Sequence, residues 1–170
     1  YMKDMLKKLV STQAHFGHKK IFRTPQLKKY LYSCHNGIDI INLDCTINQI
    51  DICLKFFQKN KEKSILIISS RELLLEGKWK QLTKWKPGYI SNFYFGKLET
   101  IPEIIIVDKV AYNHNLINEA KKANIVIIGL CDTNTPNDIL RKVDYPIVIN
   151  DDSDSAIKLL LNTLIEHKNN

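Results

Sequence analysis

The stretch Ala14–Lys20, AHFGHKK, sets two histidines three residues apart around a glycine and follows them with two lysines. Imidazoles at that spacing could share a metal ion if the segment were helical, and the lysines after them could sit on phosphates. Gly17 argues against a helix here, and no third ligand stands nearby. Besides metal, two readings stay open: a loop facing RNA, and a structural junction. At such a junction Gly17 ends a first helix or lets two backbones approach closely.

A second set of chemically capable residues is acidic. Asp108, Asp132, Asp151 and Asp152 each follow a run of apolar residues. Gathered at one end of a sheet, they could hold magnesium for phosphoryl transfer. Equally, Asp132 and Asn134 suit Asx turns, and Asp151–Asp154 suit the cap of a following helix. The six glycines form neither GxGxxG nor GxxxxGK[ST], which disfavours both usual nucleotide pockets. His35, His114 and His167 have no recognisable catalytic partner. The four cysteines, Cys34, Cys45, Cys53 and Cys131, lack CxxC spacing, so neither zinc nor a disulfide framework is expected, and a reducing compartment is.

The elements that must position these residues alternate. SILIIS (64–69), PEIIIVD (102–108), NIVIIGLCD (124–132) and YPIVIND (145–151) are apolar and strand-length, as in a parallel sheet covered on both faces. IDIINL (38–43) reads as a further strand that opens the series. Helices are expected after Asp44, with Ile47, Ile50, Leu54 and Phe57 on one face, and around Asn115–Ala123. A last helix follows Ser153 or Asp154, with Ile157, Leu160, Leu161 and Leu164 turned inward. Strand–helix alternation predicts an α/β fold, a three-layer α/β/α Rossmann-like sandwich with a mainly parallel sheet. One domain spans residues 1–170: a basic N-terminal helix and loop (1–37), then an α/β core (38–170). Residues 15–37 read as an extended basic loop interrupted by Pro25. No run approaches a membrane span, and the first residues do not resemble a secretory signal.

Charge separates these parts. The formal net charge is +7, and residues 1–33 account for all of it, with Lys3, Lys7, Lys8, Lys19, Lys20, Arg23, Lys28 and Lys29 against Asp4 alone. A polyanion, nucleic acid before membrane, is the partner such asymmetry favours. Among the lysines of residues 71–93, Trp85, Tyr89 or Phe93 could stack on an exposed base.

Taken in order, AHFGHKK, NGIDIINLD, KWKPGYISNF, PEIIIVD, IVIIGLCDTN and YPIVINDDSDSAIKLLLNTLI resemble the hallmarks of the ribosomal protein S-two family of the small subunit. The resemblance covers about residues 5–166. It implies a Rossmann-like sandwich, no enzymatic activity and no cofactor. The implied partners are small-subunit rRNA and neighbouring ribosomal proteins, with neither a membrane nor a small-molecule substrate. His15 and His18 match its first element, and Lys19, Lys20, Arg23, Lys28 and Lys29 fall in the basic loop after it. Lys84, Trp85 and Asn92, from the matching turn and its exit, complete the expected RNA-binding set. Two departures stand out. The helical hairpin that the bacterial form carries after Asn92-Phe93 is missing, since Pro102 follows after only Tyr94–Ile101, and Pro87 replaces a turn glycine. Compactness and an excess of isoleucine, lysine and asparagine point to a reduced AT-rich genome, hence an organellar ribosome, mitochondrial first. The rival expectation is an α/β enzyme or small-molecule binder, with Asp108, Asp132 and Asp151 together in one pocket.

Overall fold

The computed structural model describes residues 2–69 and 101–168. It is an α/β protein, and the described residues form two sheets. The larger is parallel and four-stranded, β4 (Ile65–Ile68), β5 (Ile104–Val107), β6 (Val126–Cys131) and β7 (Tyr145–Val148), side by side in that order. Its register pairs Ile65 with Ile104, Ile104 with Val126, and Ile128 with Tyr145. Every residue of β4 and β5 is buried, as a sheet covered on both faces requires.

Alternation along these strands sorts the core into two layers. Ile65, Ile67, Ile104, Ile106, Ile128, Leu130 and Ile147 face the helices α1 (Met2–Ser11), α2 (Leu43–Lys59) and α5 (Asp154–Lys168). Leu66, Ile68, Ile105, Val107, Ile127 and Cys131 face α3 (His114–Lys122) and the short α4 (Asn137–Leu140). The result is the expected three-layer, Rossmann-like sandwich. The inward faces expected of α2 and α5 are buried, Ile47, Ile50, Leu54 and Phe57 on one, Ile157, Leu160, Leu161 and Leu164 on the other. The α2 cap differs by two positions. Asn42 accepts from the Asp44 amide at 3.0 Å, and Asp44 itself lies in the first turn, beside the positive end of the helix dipole. Ser153 caps α5 through the Ala156 amide. Among the described residues no helix is long and apolar enough to cross a membrane.

The N-terminal region departs from the sequence expectation. What reads as a basic loop folds into β1 (Phe16–Lys19), two 3-10 turns (Lys20–Phe22 and Pro25–Tyr30) and β2 (Leu31–His35). Ile38–Ile41 is β3, the centre of a separate antiparallel sheet ordered β1-β3-β2, and not the opening strand of the parallel sheet. The reason is local. Asn36 and Gly37, at φ 48° and 78°, form the tight turn with positive φ at both central residues that folds β3 back on β2.

The first helix does not end at Gly17 either. Its stop is Gln13, at φ 60°, with the Ala14 amide donating to Leu9 O and the Gln13 amide to Val10 O. That closes the helix in the double-bonded left-handed motif, with buried Leu9 and Ala14 in the same core cluster.

Candidate nucleic-acid interface

The small sheet is fastened to the parallel core by the loops at the carboxyl ends of β6 and β7. Gly17 lies against Thr133: a β-carbon there would stand 2.5 Å from Thr133 Cγ2 and 2.9 Å from its Oγ1. Only a residue without a side chain permits this approach, and it brings the His18 amide within 2.9 Å of Thr133 Oγ1. The Thr24 amide donates to Thr133 O and the Thr24 hydroxyl to Thr135 O. From the β7 side, the Asn150 amide donates to Ala14 O, its side chain to Gln13 O, and the Ser153 hydroxyl to Thr12 O. Three of the sequence motifs, around His15–Lys20, Asp132–Asn134 and Asn150–Asp152, are therefore one clamp in space.

His18 is the centre of that clamp. Its Nδ1 lies 3.2 Å from Asp132 Oδ1, close enough for an ion pair although not aligned for a hydrogen bond. Its Nε2 lies 3.4 Å from Asp152 Oδ2, and Lys109 Nζ holds the other oxygen of Asp152 at 2.8 Å. Asp132 also accepts the amides of Thr133 and Asp151, the neighbouring residue and one from the β7 loop, in place of the bond two residues on that an Asx turn makes. The Asp132 carboxylate raises the His18 pKa above 6.5 against the opposing effect of burial, with Asp152 and Asp151 adding to the rise. Burial, reinforced by Asp132 and Asp152, pushes the Asp151 carboxyl up to about 7. The donor atoms of His18, Asp132 and Asp152 lie within 4.8 Å of one another, so the group could take a cation. Lys109 already supplies positive charge to it.

The acids at the strand ends do converge, as the rival expectation requires. His18 of β1 lies against Asp132 and Asp152, Asp132 is fully buried, and Asp108 accepts the Ser69 hydroxyl at 2.7 Å. Two cavities lined by described residues, one against Tyr112–Leu116 and one against Ile52, Phe56 and Tyr145, include none of these acids.

Arg23 is turned inward. Its guanidinium pairs with the carboxylate of Asp39, which is 0% exposed on β3, through two contacts. Asp39 was not singled out by sequence, although it is the only acid between Asp4 and Asp44. His15 is half-buried, its ring centroid 4.2 Å from that of Phe16. Lys19, Lys20, Lys28 and Lys29 are exposed and make no ion pair among the described residues, Lys29 lying 4.8 Å above the Tyr30 ring. Lys84, Trp85, Tyr89, Asn92 and Phe93 lie outside the described residues. Of the ten expected RNA-binding residues, the structure thus brings His15, His18, Lys19, Lys20, Arg23, Lys28 and Lys29 into one small unit.

Two comparisons bear on this arrangement. The family model of Ribosomal protein S2 matches residues 9–97 and 94–169, nearly the whole chain and every segment of the clamp. The chain belongs to the ribosomal protein S2 family. A similar relative is a "Small ribosomal subunit protein uS2" of the bacterium Coprothermobacter proteolyticus, 26% identical over 217 aligned positions that cover 95% of this chain and 80% of the relative. Those 217 positions exceed the 170 residues of the chain, so the relative contains sequence without a counterpart here. The family match breaks in two at residues 94–97, within the interval where the hairpin was expected to be missing. Membership makes the chain a structural constituent of the small ribosomal subunit, and the alternative of an acid-dependent enzyme gains no support.

Proposed function

We propose that this protein binds small-subunit rRNA through its N-terminal sheet and so helps hold the subunit together, without a catalytic part or cofactor. The observation that carries the reading is the clamp. It fixes a segment whose four lysines, Lys19, Lys20, Lys28 and Lys29, are all exposed and make no ion pair among the described residues. A rigid cationic surface meets phosphates without the entropy cost of ordering a loose arm. His18 and Arg23 have a different part in this reading. They neutralise buried acids and hold the sheet in place, so the lysines supply the phosphate contacts. Neighbouring small-subunit proteins complete the set of partners.

The ribosome we propose is organellar, mitochondrial first. The reading rests on the short interval between Phe93 and Pro102, where the bacterial hairpin was expected, and on the richness in isoleucine, lysine and asparagine. The test is co-sedimentation of the native protein with small subunits from the source organelle, compared with a Lys19→Glu, Lys20→Glu variant. The wild type should travel with the subunit and the variant should be depleted from it at raised salt. Equal retention of both would remove the sheet from the RNA interface.

A further inference from the structure

The small sheet carries more than charge. Phe16 (41% exposed), Ile21 (80%), Phe22 (58%), Tyr32 (79%) and Ile38 are all open to solvent, half of the exposed large apolar side chains among the described residues. They stand within residues 16–38, a stretch with five bases and no acid. The register explains their exposure. On β3, Asp39 and Ile41 are buried, so Ile38 and Ile40 take the outer face. Phe16 and Ser33 lie opposite Ile40, and Lys19 and His35 lie opposite Ile38. Tyr32 falls at the register shift between Leu31 and Ser33, and Ile21 and Phe22 occupy the 3-10 turn after β1. The one acid of the sheet, Asp39, is neutralised inside by Arg23.

A small unit that exposes aromatic rings and lysines, and whose one acid is buried and paired, has an identifiable complement. Double-helical RNA has its bases already stacked and offers rings nothing, whereas unpaired nucleotides offer phosphates and free π-faces together. A protein partner fits less well. Protein interfaces are depleted in lysine and enriched in arginine at their cores, and here every exposed cation is lysine while the sole arginine is turned inward.

We propose that the outer face of the N-terminal sheet and its flanking turn take unpaired RNA nucleotides. Bases stack on Phe22 and Tyr32, and phosphates lie on Lys19, Lys20, Lys28 and Lys29. The proposal rests on the RNA reading above and adds the form of RNA recognised. The sequence expected stacking from Trp85, Tyr89 or Phe93 instead. Phe22 and Tyr32 went unnoticed because nothing in their spacing marks them as surface.

The experiment measures binding of the full-length protein to a labelled unstructured 12-nucleotide RNA and to a 12-base-pair RNA duplex at one salt concentration. The Phe22→Ala, Tyr32→Ala double variant should lose about 10-fold or more on the single strand and less than about 2-fold on the duplex. The ring-preserving Phe22→Tyr, Tyr32→Phe variant should keep wild-type affinity for both. Both side chains are exposed, so unchanged circular dichroism is expected and confirms folding. Equal loss on both forms, or no loss, overturns the stacking proposal while leaving the RNA reading in place. Lys19→Glu, Lys20→Glu with undiminished binding to both forms would instead overturn the RNA reading, and the stacking proposal with it. An alanine pair that binds RNA normally but no longer joins small subunits would assign the face to a protein partner and overturn the proposal.

Discussion

The parallel core and the N-terminal sheet are built by opposite means. In the core, isoleucines on neighbouring strands bury one another, and every residue of β4 and β5 is buried. Stability there comes from apolar area removed from water, at roughly 1.5–3 kcal/mol for each fully buried side chain. The small sheet has strands of four or five residues and an open outer face. Its position depends instead on polar contacts made over more than 100 residues, Thr133 with His18, Thr135 with Thr24 and Asn150 with Ala14, and its own fold on the local pair of Asp39 with Arg23. The contrast separates two tasks. The core holds a shape, and the small sheet keeps its outer surface free because its attachment uses the inner one.

The largest effect that would expose this difference comes from Arg23→Ala. Asp39 is fully buried, so the variant leaves a carboxylate without its counter-charge in the interior. Chemical denaturation should show a loss of about 3–5 kcal/mol, with much of it recovered when Asp39→Asn is added. A loss no greater than that of an ordinary surface substitution would mean the small sheet is not held by this pair.

Next in size is a dependence on pH that the core alone would not produce. Asp151 titrates near 7 in the folded protein and near 3.8 unfolded, so between those values the folded state binds the extra proton. Its contribution to stability is fully present below the unfolded value and is lost as pH rises towards 7. His18 acts in the same direction, since its raised pKa favours the protonated form and that contribution disappears above the folded value. Stability should therefore fall by an amount on the order of 2 kcal/mol between pH 5 and pH 7. Urea titrations across that range check it, and Asp151→Asn should flatten the curve. A rise in stability over the same interval would contradict the described clamp.

The two regions also differed in how far the sequence disclosed them. Strands β4 to β7 are continuous apolar runs, and α2 and α5 carry strict helical periodicity, so burial leaves a pattern that reads directly. The small sheet leaves none. Its outer residues are polar and apolar in no regular order, because one side faces solvent and bulges break the register at Phe16/Lys19 and Leu31/Ser33. Asn36-Gly37 was its one legible sign, a hairpin turn between LYSCH and IDII that the basic-loop reading passed over. For the site, the sequence marked His18, Asp132, Asp151 and Asp152 separately. Their meeting depends on contacts between residues more than 100 positions apart, which no local spacing encodes. Gly17 was noticed for the right property, close approach, while the residue it approaches, Thr133, was marked only as part of the segment IVIIGLCDTN and not as its partner.

The smallest expected change in stability accompanies a sharp change in binding, and it sharpens the comparison most. Lys28 and Lys29 are exposed on the small sheet's second turn, and Lys55 and Lys59 are exposed on α2 of the core. Both pairs consist of surface lysines, so Lys28→Gln, Lys29→Gln and Lys55→Gln, Lys59→Gln should each leave unfolding free energy within about 0.5 kcal/mol of wild type. Bulk charge is altered equally by the two. If affinity came from net charge alone, both would weaken RNA binding alike. If the small sheet is the interface, only the first pair removes phosphate contacts. The slope of log affinity against log salt for single-stranded RNA should then shrink by about 1.4 for that pair and stay unchanged for the other. Equal slopes for the two variants would erase the functional distinction between the regions, although the structural one would stand.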